Sequence, residues 1–304
     1  MITKNNILSM VFIGFSSLAF AQQDPLYSQN QFNQSMINPA YTGVNNVLNA
    51  TIIGRRQWVG LEGAPKTSIV NISTSLLNNK IGLGLIALDD RYGVNKNTEL
   101  QLLYAYRIDL LNGKSFSFGL QTGYINYSYD YDQLTLEQDD QVLTLADGNI
   151  TRFNVGAGAY YRTNDFYLGL SIPKMINTNV NENGISSTIY RRHLYISGGY
   201  VFDMFTSMKF KPSVLLKVVE GQPLSIDINA SLLLIETLWV GASLRNFNAI
   251  GLNSQFEIND RMRLGYSFEY PLNTKSDFVF STHELMVSFD IEMFRGHVNG
   301  PRYF

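Results

Sequence analysis

Beyond residue 47 the chain alternates hydrophobic and polar residues with a period of two. Phe116, Phe118, Leu120, Thr122 and Tyr124 interleave with Ser115, Ser117, Gly119, Gln121 and Gly123. Leu224, Ile226, Ile228, Ala230, Leu232 and Leu234 interleave with Ser225, Asp227, Asn229 and Ser231. Met262, Leu264, Tyr266, Phe268 and Tyr270 do so with Arg261, Arg263, Gly265, Ser267 and Glu269, and Leu285, Val287, Phe289 and Ile291 with Glu284, Ser288 and Asp290. Successive side chains of a strand point to opposite faces, so this pattern predicts strands with one apolar and one polar face. No segment sustains a helical period over a long window. The predicted strands are 48–57, 66–76, 80–90, 97–108, 114–127, 150–162, 165–173, 191–203, 207–218, 224–236, 238–248, 252–258, 261–270 and 282–292, about fourteen in all.

The strands run to about ten residues, the length that crosses a bilayer at a tilt. Their second face carries Arg, Asp, Gln, Ser and Gly, where a sandwich would need a second apolar layer. In a barrel that face lines a wet or plugged lumen. The connections agree. Short ones (Leu77–Asn79, Asp109–Gly113, Thr163–Asn164, Asp203–Thr206, Glu236–Thr237, Asn259–Asp260) alternate with longer ones (Gln57–Pro65, Arg91–Lys96, Ser128–Asn149, Lys174–Tyr190, Pro271–Ser281). Outer-membrane barrels have short periplasmic turns and long outer loops. The steps near Glu220 and Ala249 are expected on the outer side yet are short. The fold class is an all-β, transmembrane, antiparallel up-and-down β-barrel.

Composition sharpens this reading. Of 304 residues, 16% are charged and 13% aromatic, with 18 Tyr and 19 Phe. The charged share lies well below that of an ordinary soluble domain, and the mean hydropathy of −0.05 is low for a helical membrane protein. A net charge of −2 gives no nucleic-acid surface. The absence of cysteine excludes disulfides, thiolate catalysis and Cys-based zinc sites. Lys4, the apolar stretch Ile7–Phe20 and the small-x-small step Ala19-Phe20-Ala21 form a secretory signal with cleavage expected after Ala21. The expected organisation is a signal peptide (1–21), an N-terminal segment that is periplasmic or folded into the barrel mouth (22–47), the outer-membrane barrel (48–292) and a C-terminal periplasmic tail (293–304).

Little in the chain points to catalysis. His193, His283 and His297 make no metal-ligand spacing. There is no nucleophile elbow and no phosphate loop, so neither an enzyme nor a cofactor is expected. Gly82-Leu83-Gly84 and Gly156-Ala157-Gly158 lie inside strands, where glycine relieves crowding at a bend or where a plug approaches. Arg107, Arg152, Lys217, Arg245, Arg261 and Arg263 are read as inward-facing, with Glu99, Asp227, Glu269, Glu284 and Asp290. They could set the selectivity of a pore, but a buried charge must find a partner or water, so pairing across the lumen is the default. The acidic loop 128–149 (Asp130, Asp132, Glu137, Asp139, Asp140, Asp147) fits no EF-hand and reads as solvated. Trp58 at a strand end reads as an interface anchor, and the Gly and Pro around it mark a shaped loop.

Four stretches carry a resemblance. The mature start Gln22-Gln23-Asp24-Pro25-Leu26-Tyr27-Ser28-Gln29, the element Asn38-Pro39-Ala40-Tyr41-Thr42-Gly43, the run from Arg56-Gln57-Trp58 to Gly63-Ala64-Pro65, and the end Pro301-Arg302-Tyr303-Phe304 together resemble the PorP/SprF family of outer-membrane proteins, associated with type IX secretion and gliding. The resemblance implies a non-catalytic barrel that supports secretion or surface attachment of a partner, such as a large adhesin with a C-terminal sorting domain. Other members contact periplasmic lipoproteins of the machinery. Residues 22–43 and the outer loops are then the candidate binding surfaces, with Tyr41, Arg56, Trp58 and Pro65 as candidate partner contacts. The charged inner face motivates the alternative of a passive channel for a small solute.

Overall fold

A computed structural model describes residues 27–45, 47–129, 149–182, 185–272 and 280–291. Its strands are β1 (Leu48–Arg56), β2 (Lys66–Leu76), β3 (Ile81–Tyr92), β4 (Asn95–Asp109), β5 (Ser115–Tyr129), β6 (Asn149–Arg162), β7 (Phe166–Ile172), β8 (Thr178–Glu182) and β9 (Ile185–Tyr190). They continue with β10 (His193–Tyr200), β11 (Phe202–Phe205), β12 (Met208–Val219), β13 (Ser225–Leu234), β14 (Leu238–Arg245), β15 (Ala249–Asn259), β16 (Met262–Pro271) and β17 (Thr282–Ile291). β8 and β9 form a separate hairpin, and β10 and β11 are one stave interrupted at Val201. The remaining strands pair in sequence order, β7 with β10 and β10 with β12, and β1 closes on β17 from Leu48↔Ile291 to Arg56↔His283. The result is a closed barrel of fourteen antiparallel staves.

The alternation sorts onto the two faces of this wall. Ile52, Leu100, Leu102, Phe118, Leu120, Leu252 and Leu285 point outward and are each about half exposed. Such a belt is stable only against lipid, since every Å² left in water costs about 25 cal/mol. Thr51, Ile53, Arg55, Asn71, Gln101, Ser231 and Glu284 point inward and are buried.

All six short connections lie at one end. There the φ angles of Leu77, Asn78, Asn79, Asn112, Ile235 and Glu236 are positive, as turns matched to the right-handed strand twist require. The other end carries the longer connections and is therefore the outer one.

Three connections depart from the sequence reading. The step 91–96 shrinks to Gly93-Val94, because β3 and β4 continue to Tyr92 and Asn95 and Gly93 (φ 54°) supplies the left-handed residue of a two-residue turn. The loop 174–190 contains the hairpin β8–β9. The stave 191–203 breaks at Val201, whose N–H donates to the Asp165 carbonyl (2.7 Å). The acidic residues 130–148, the tail 293–304 and the signal stretch 1–21 lie outside the described residues.

Candidate functional site

The lumen is filled by the segment that precedes β1. Residues 28–31, 34–36 and 39–41 form three single 3-10 turns, and nearly every residue from Tyr27 to Val44 is buried. Tyr27 to Gln29 contact the outer halves of β1, β16 and β17. Thr42 and Gly43 contact the inner ends of β2 to β4. The segment therefore descends the lumen from the outer half to the periplasmic end and then turns back into β1.

The Asn38–Gly43 element is built to be seated. Asn38 caps the last turn, its Oδ1 accepting from the Ala40 N–H (3.0 Å), and Pro39 sits at the first helical position, where no amide donor is lost. The wall opposite lacks side chains where the segment crosses. A Cβ on Gly82 would lie 2.0 Å from the Thr42 carbonyl oxygen, one on Gly119 2.1 Å from the Ala40 nitrogen, and one on Gly158 2.2 Å from Asn38 Oδ1. Gly43 (φ 70°) makes the turn, and its own Cβ would meet the Thr74 carbonyl oxygen at 2.6 Å. Arg107 then clamps the turn by donating to the carbonyls of Thr42 (3.2 Å), Gly43 (3.2 Å) and Asn79 (2.8 Å). Tyr41 packs edge-on against Tyr160 (centroids 5.4 Å apart), which stacks on Tyr167.

In mid-lumen Phe32, Met36 and Tyr27 pack on Ile53, Ile69, Ile86 and Met286, a small core formed jointly by wall and plug. Lys211 holds its ammonium 4.6 Å from the Trp239 ring centroid and 5.2 Å from that of Phe32. The outer half is fastened by charge. Both oxygens of Glu284 accept backbone N–H groups, from Gln29 (2.8 Å) and Ser28 (3.1 Å), with Arg55 3.8 Å away. Arg245 bridges Asp227 (2.9 Å) and Glu269 (2.7 Å), and nearer the periplasm Arg263 pairs with Asp290 (2.9 Å). Pairing is thus the fate of most of the predicted inner charges. Arg152 keeps the inward parity, in register with buried Ile125, but is exposed at the outer end of β6. Arg261 is the correction: it is exposed in the turn before β16, where the wall has ended.

A small cavity remains beside the plug in the outer half, between Tyr27, Leu88, Gln101, Gln121, Lys174 and Tyr195. Lys174 reaches across it to Glu99 (2.9 Å). At the rim, the 57–65 loop is tied to both neighbours: the Val59 N–H donates to Ser281 O (2.9 Å), and the Gly93 N–H donates to Gly63 O (2.8 Å). Gln57 N–H closes the loop on Pro65 O (3.0 Å). Trp58 (φ 51°), Val59 and Leu61 are left exposed on top.

The sequence model of the type IX secretion system membrane protein PorP/SprF matches residues 19–289. The chain belongs to the PorP/SprF family. No curated protein matches it. Among solved structures it is similar in fold to the CymD monoaromatic hydrocarbon channel (TM-score 0.52, 10% identity, 90% of this chain and 94% of that one). It is equally similar to the deltaS2S3 mutant of the TodX monoaromatic hydrocarbon channel (TM-score 0.52, 8% identity, 88% and 95%). The outer membrane protein Omp33 of Acinetobacter baumannii gives a TM-score of 0.48 at 11% identity (81% and 100%). The likeness to the two hydrocarbon channels shows the barrel fold, and the barrel together with the family places the chain in the outer membrane.

In this PorP/SprF barrel the four candidate contacts fall in two places. Tyr41 is buried near the periplasmic end of the lumen, whereas Arg56, Trp58 and Pro65 stand together at the outer rim. Several residues that organise the lumen escaped sequence reading. Arg55 is absent from the residues read as inward-facing, although parity with Thr51 and Ile53 puts it inside. Lys211 shares the inward parity of Lys217. The polar atoms of residues 29–38 carry no periodic signal at all.

Proposed function

We propose that this protein is a non-catalytic partner in type IX secretion, supporting the secretion or cell-surface attachment of a protein such as a large adhesin by binding its C-terminal sorting domain. The observation that carries the reading is a lumen occupied from its outer half to its periplasmic end by a seated segment, in a chain of a secretion family. A plugged barrel offers surfaces rather than a path. The outer one is the tied loop 57–65 with exposed Trp58. The periplasmic end is available to lipoproteins of the machinery. Export proceeds through a signal peptide cleaved after Ala21.

Deleting the gene tests the reading. Surface display of one specific secreted protein is expected to be lost, and that protein is expected to co-purify with the detergent-extracted barrel. Normal display of every such protein in the mutant would reject it. A steady open pore in a planar bilayer would favour the small-solute channel instead.

A further inference from the structure

The outward face of the outer rim carries basic residues in direct register on successive strands. His283 of β17 pairs with Arg56 of β1, Arg56 with Lys66 of β2, Lys66 with Arg91 of β3, and Arg91 with Lys96 of β4. Neighbouring strands lie about 4.8 Å apart, so the row spans about 19 Å of wall. Directly opposed side chains bring their Cβ atoms to about 5 Å, and like charges so placed repel. Asp89 relieves one end of the row, 2.8 Å from Arg91 and 3.3 Å from Lys96. Arg56 and Lys66 have no ion-pair partner among the described residues and are exposed. His283 is held by Tyr266 (2.7 Å) and Ser281 (3.0 Å). A fold gains nothing from opposing Arg56 and Lys66 unless an anion lies between them.

The height of the row says which anion. Ile52, Val70, Ala87 and Leu100 are the last apolar outward residues of β1 to β4, and they too are in mutual register. One outward position (Gly54, Ser68, Asp89, Thr98) separates them from the basic row. The cations therefore stand one step above the acyl-chain belt, at the long-loop end. That is the level of lipid headgroups in the outer leaflet. Arg presents a planar fork that matches phosphate oxygens, and Lys a compact charge beside it.

We propose that Arg56, Lys66 and Arg91, flanked by His283 and Lys96, form a binding site for the phosphate groups of the outer-leaflet glycolipid. The site fixes the barrel's height and orientation in the membrane. It rests on the strand register and not on the partner-binding reading, although it shares Arg56 with the candidate contacts.

The test uses the full-chain barrel in phosphatidylcholine nanodiscs doped with bis-phosphorylated lipid A, with the lipid retained per barrel read by native mass spectrometry. Dephosphorylated lipid A and inorganic phosphate serve as separate competitors. The wild type is expected to retain the phosphorylated form selectively. The Arg56→Gln/Lys66→Gln double variant is expected to lose roughly thirtyfold in affinity. The Arg191→Gln/Arg192→Gln variant removes the same charge from an exposed stretch elsewhere on the rim, where Arg192 already pairs with Glu220, and should stay within about threefold of wild type. Retained heat-modifiability on gels shows that each barrel has folded. Equal retention of both lipid A forms, equal loss in both double variants, or displacement by inorganic phosphate would each overturn the proposal.

Discussion

Gly119→Val attacks the plug where the wall can least accommodate it. A Cβ at this position would lie 2.1 Å from the Ala40 nitrogen, 2.3 Å from the Pro39 carbonyl carbon and 2.5 Å from the Ala40 Cα. All three are backbone atoms of the plug, so no rotamer change relieves the overlap. Either the 39–41 turn moves or β5 does, and β5 is bonded on both edges, to β4 and β6. Overpacking of this kind costs about 1–3 kcal/mol in well-filled cores, which shifts the ratio of seated to unseated plug by about 5- to 150-fold. The loss falls on the plug more than on the wall, because fourteen staves of ladder hydrogen bonds remain. Single-channel recording in a planar bilayer reads the outcome. The wild type is expected to be silent and Gly119→Val to show openings, with more frequent ones when Gly82→Val adds a second clash, 2.0 Å from Thr42 O. Gly54→Ala, which meets nothing within 4 Å, is the matched control. A Gly119→Val barrel as silent and as heat-stable as wild type would refute the seating argument.

Glu284→Gln leaves Arg55 buried without its counter-charge and weakens the grip on Ser28 and Gln29. A loss of about 3 kcal/mol is expected, read as a lower urea midpoint of the reconstituted barrel. Tyr41→Ala empties the site against Tyr160 and should cost about 3 kcal/mol by the same measurement, with channel openings as a second readout. Trp58→Ala is expected to change stability by less than about 0.5 kcal/mol, since the residue is 43% exposed. It should lower the amount of co-purifying secreted protein. If Tyr41→Ala lowered co-purification with stability intact, the assignment of Tyr41 to the lumen interior would fail.

The staves were legible because a barrel wall imposes one rule at every position. Lipid on one side and packed polar groups on the other force strict alternation, and β2 lies where the pattern put it, at 66–76. Legibility fails where that rule stops applying. β3 and β4 outrun the apolar belt, so their last turns lose the greasy face that marked them, and the pattern placed the turn too early on one strand and too late on the next. β8 and β9 stand apart from the barrel sheet and face no bilayer, so nothing in their sequence needed to alternate. The plug is the deepest case. Its conformation comes from single 3-10 turns, Asn38, Pro39 and Gly43, and from glycines on distant strands, so each half of the signal means little without the other. Gly82 and Gly158 were the readable half: inward glycines on long strands mark where another backbone comes close.

The route of the plug also constrains how the barrel assembles. Its inner half is held by β2 to β7, through Gly82, Gly119, Gly158 and Gly169 and the Arg107 clamp, all on strands that follow it in sequence order. Its outer half is held by Glu269 and Glu284, on the last two strands. β1 continues directly from the plug and closes against β17, so the ring completes only beside the residues that fasten the plug's outer end. A preformed empty cylinder would have to admit nineteen residues lengthwise past Arg107 and the mid-lumen wall side chains Ile53, Ile69, Ile86 and Met286. An open sheet of β1 to β7 can lay the same segment into its glycine seat from the side. Glu284 then meets the Ser28 and Gln29 amides as β17 pairs with β1, which joins plug fastening and barrel closure in one step. The buried carboxylate sits where the two events meet, which is why its loss should loosen both.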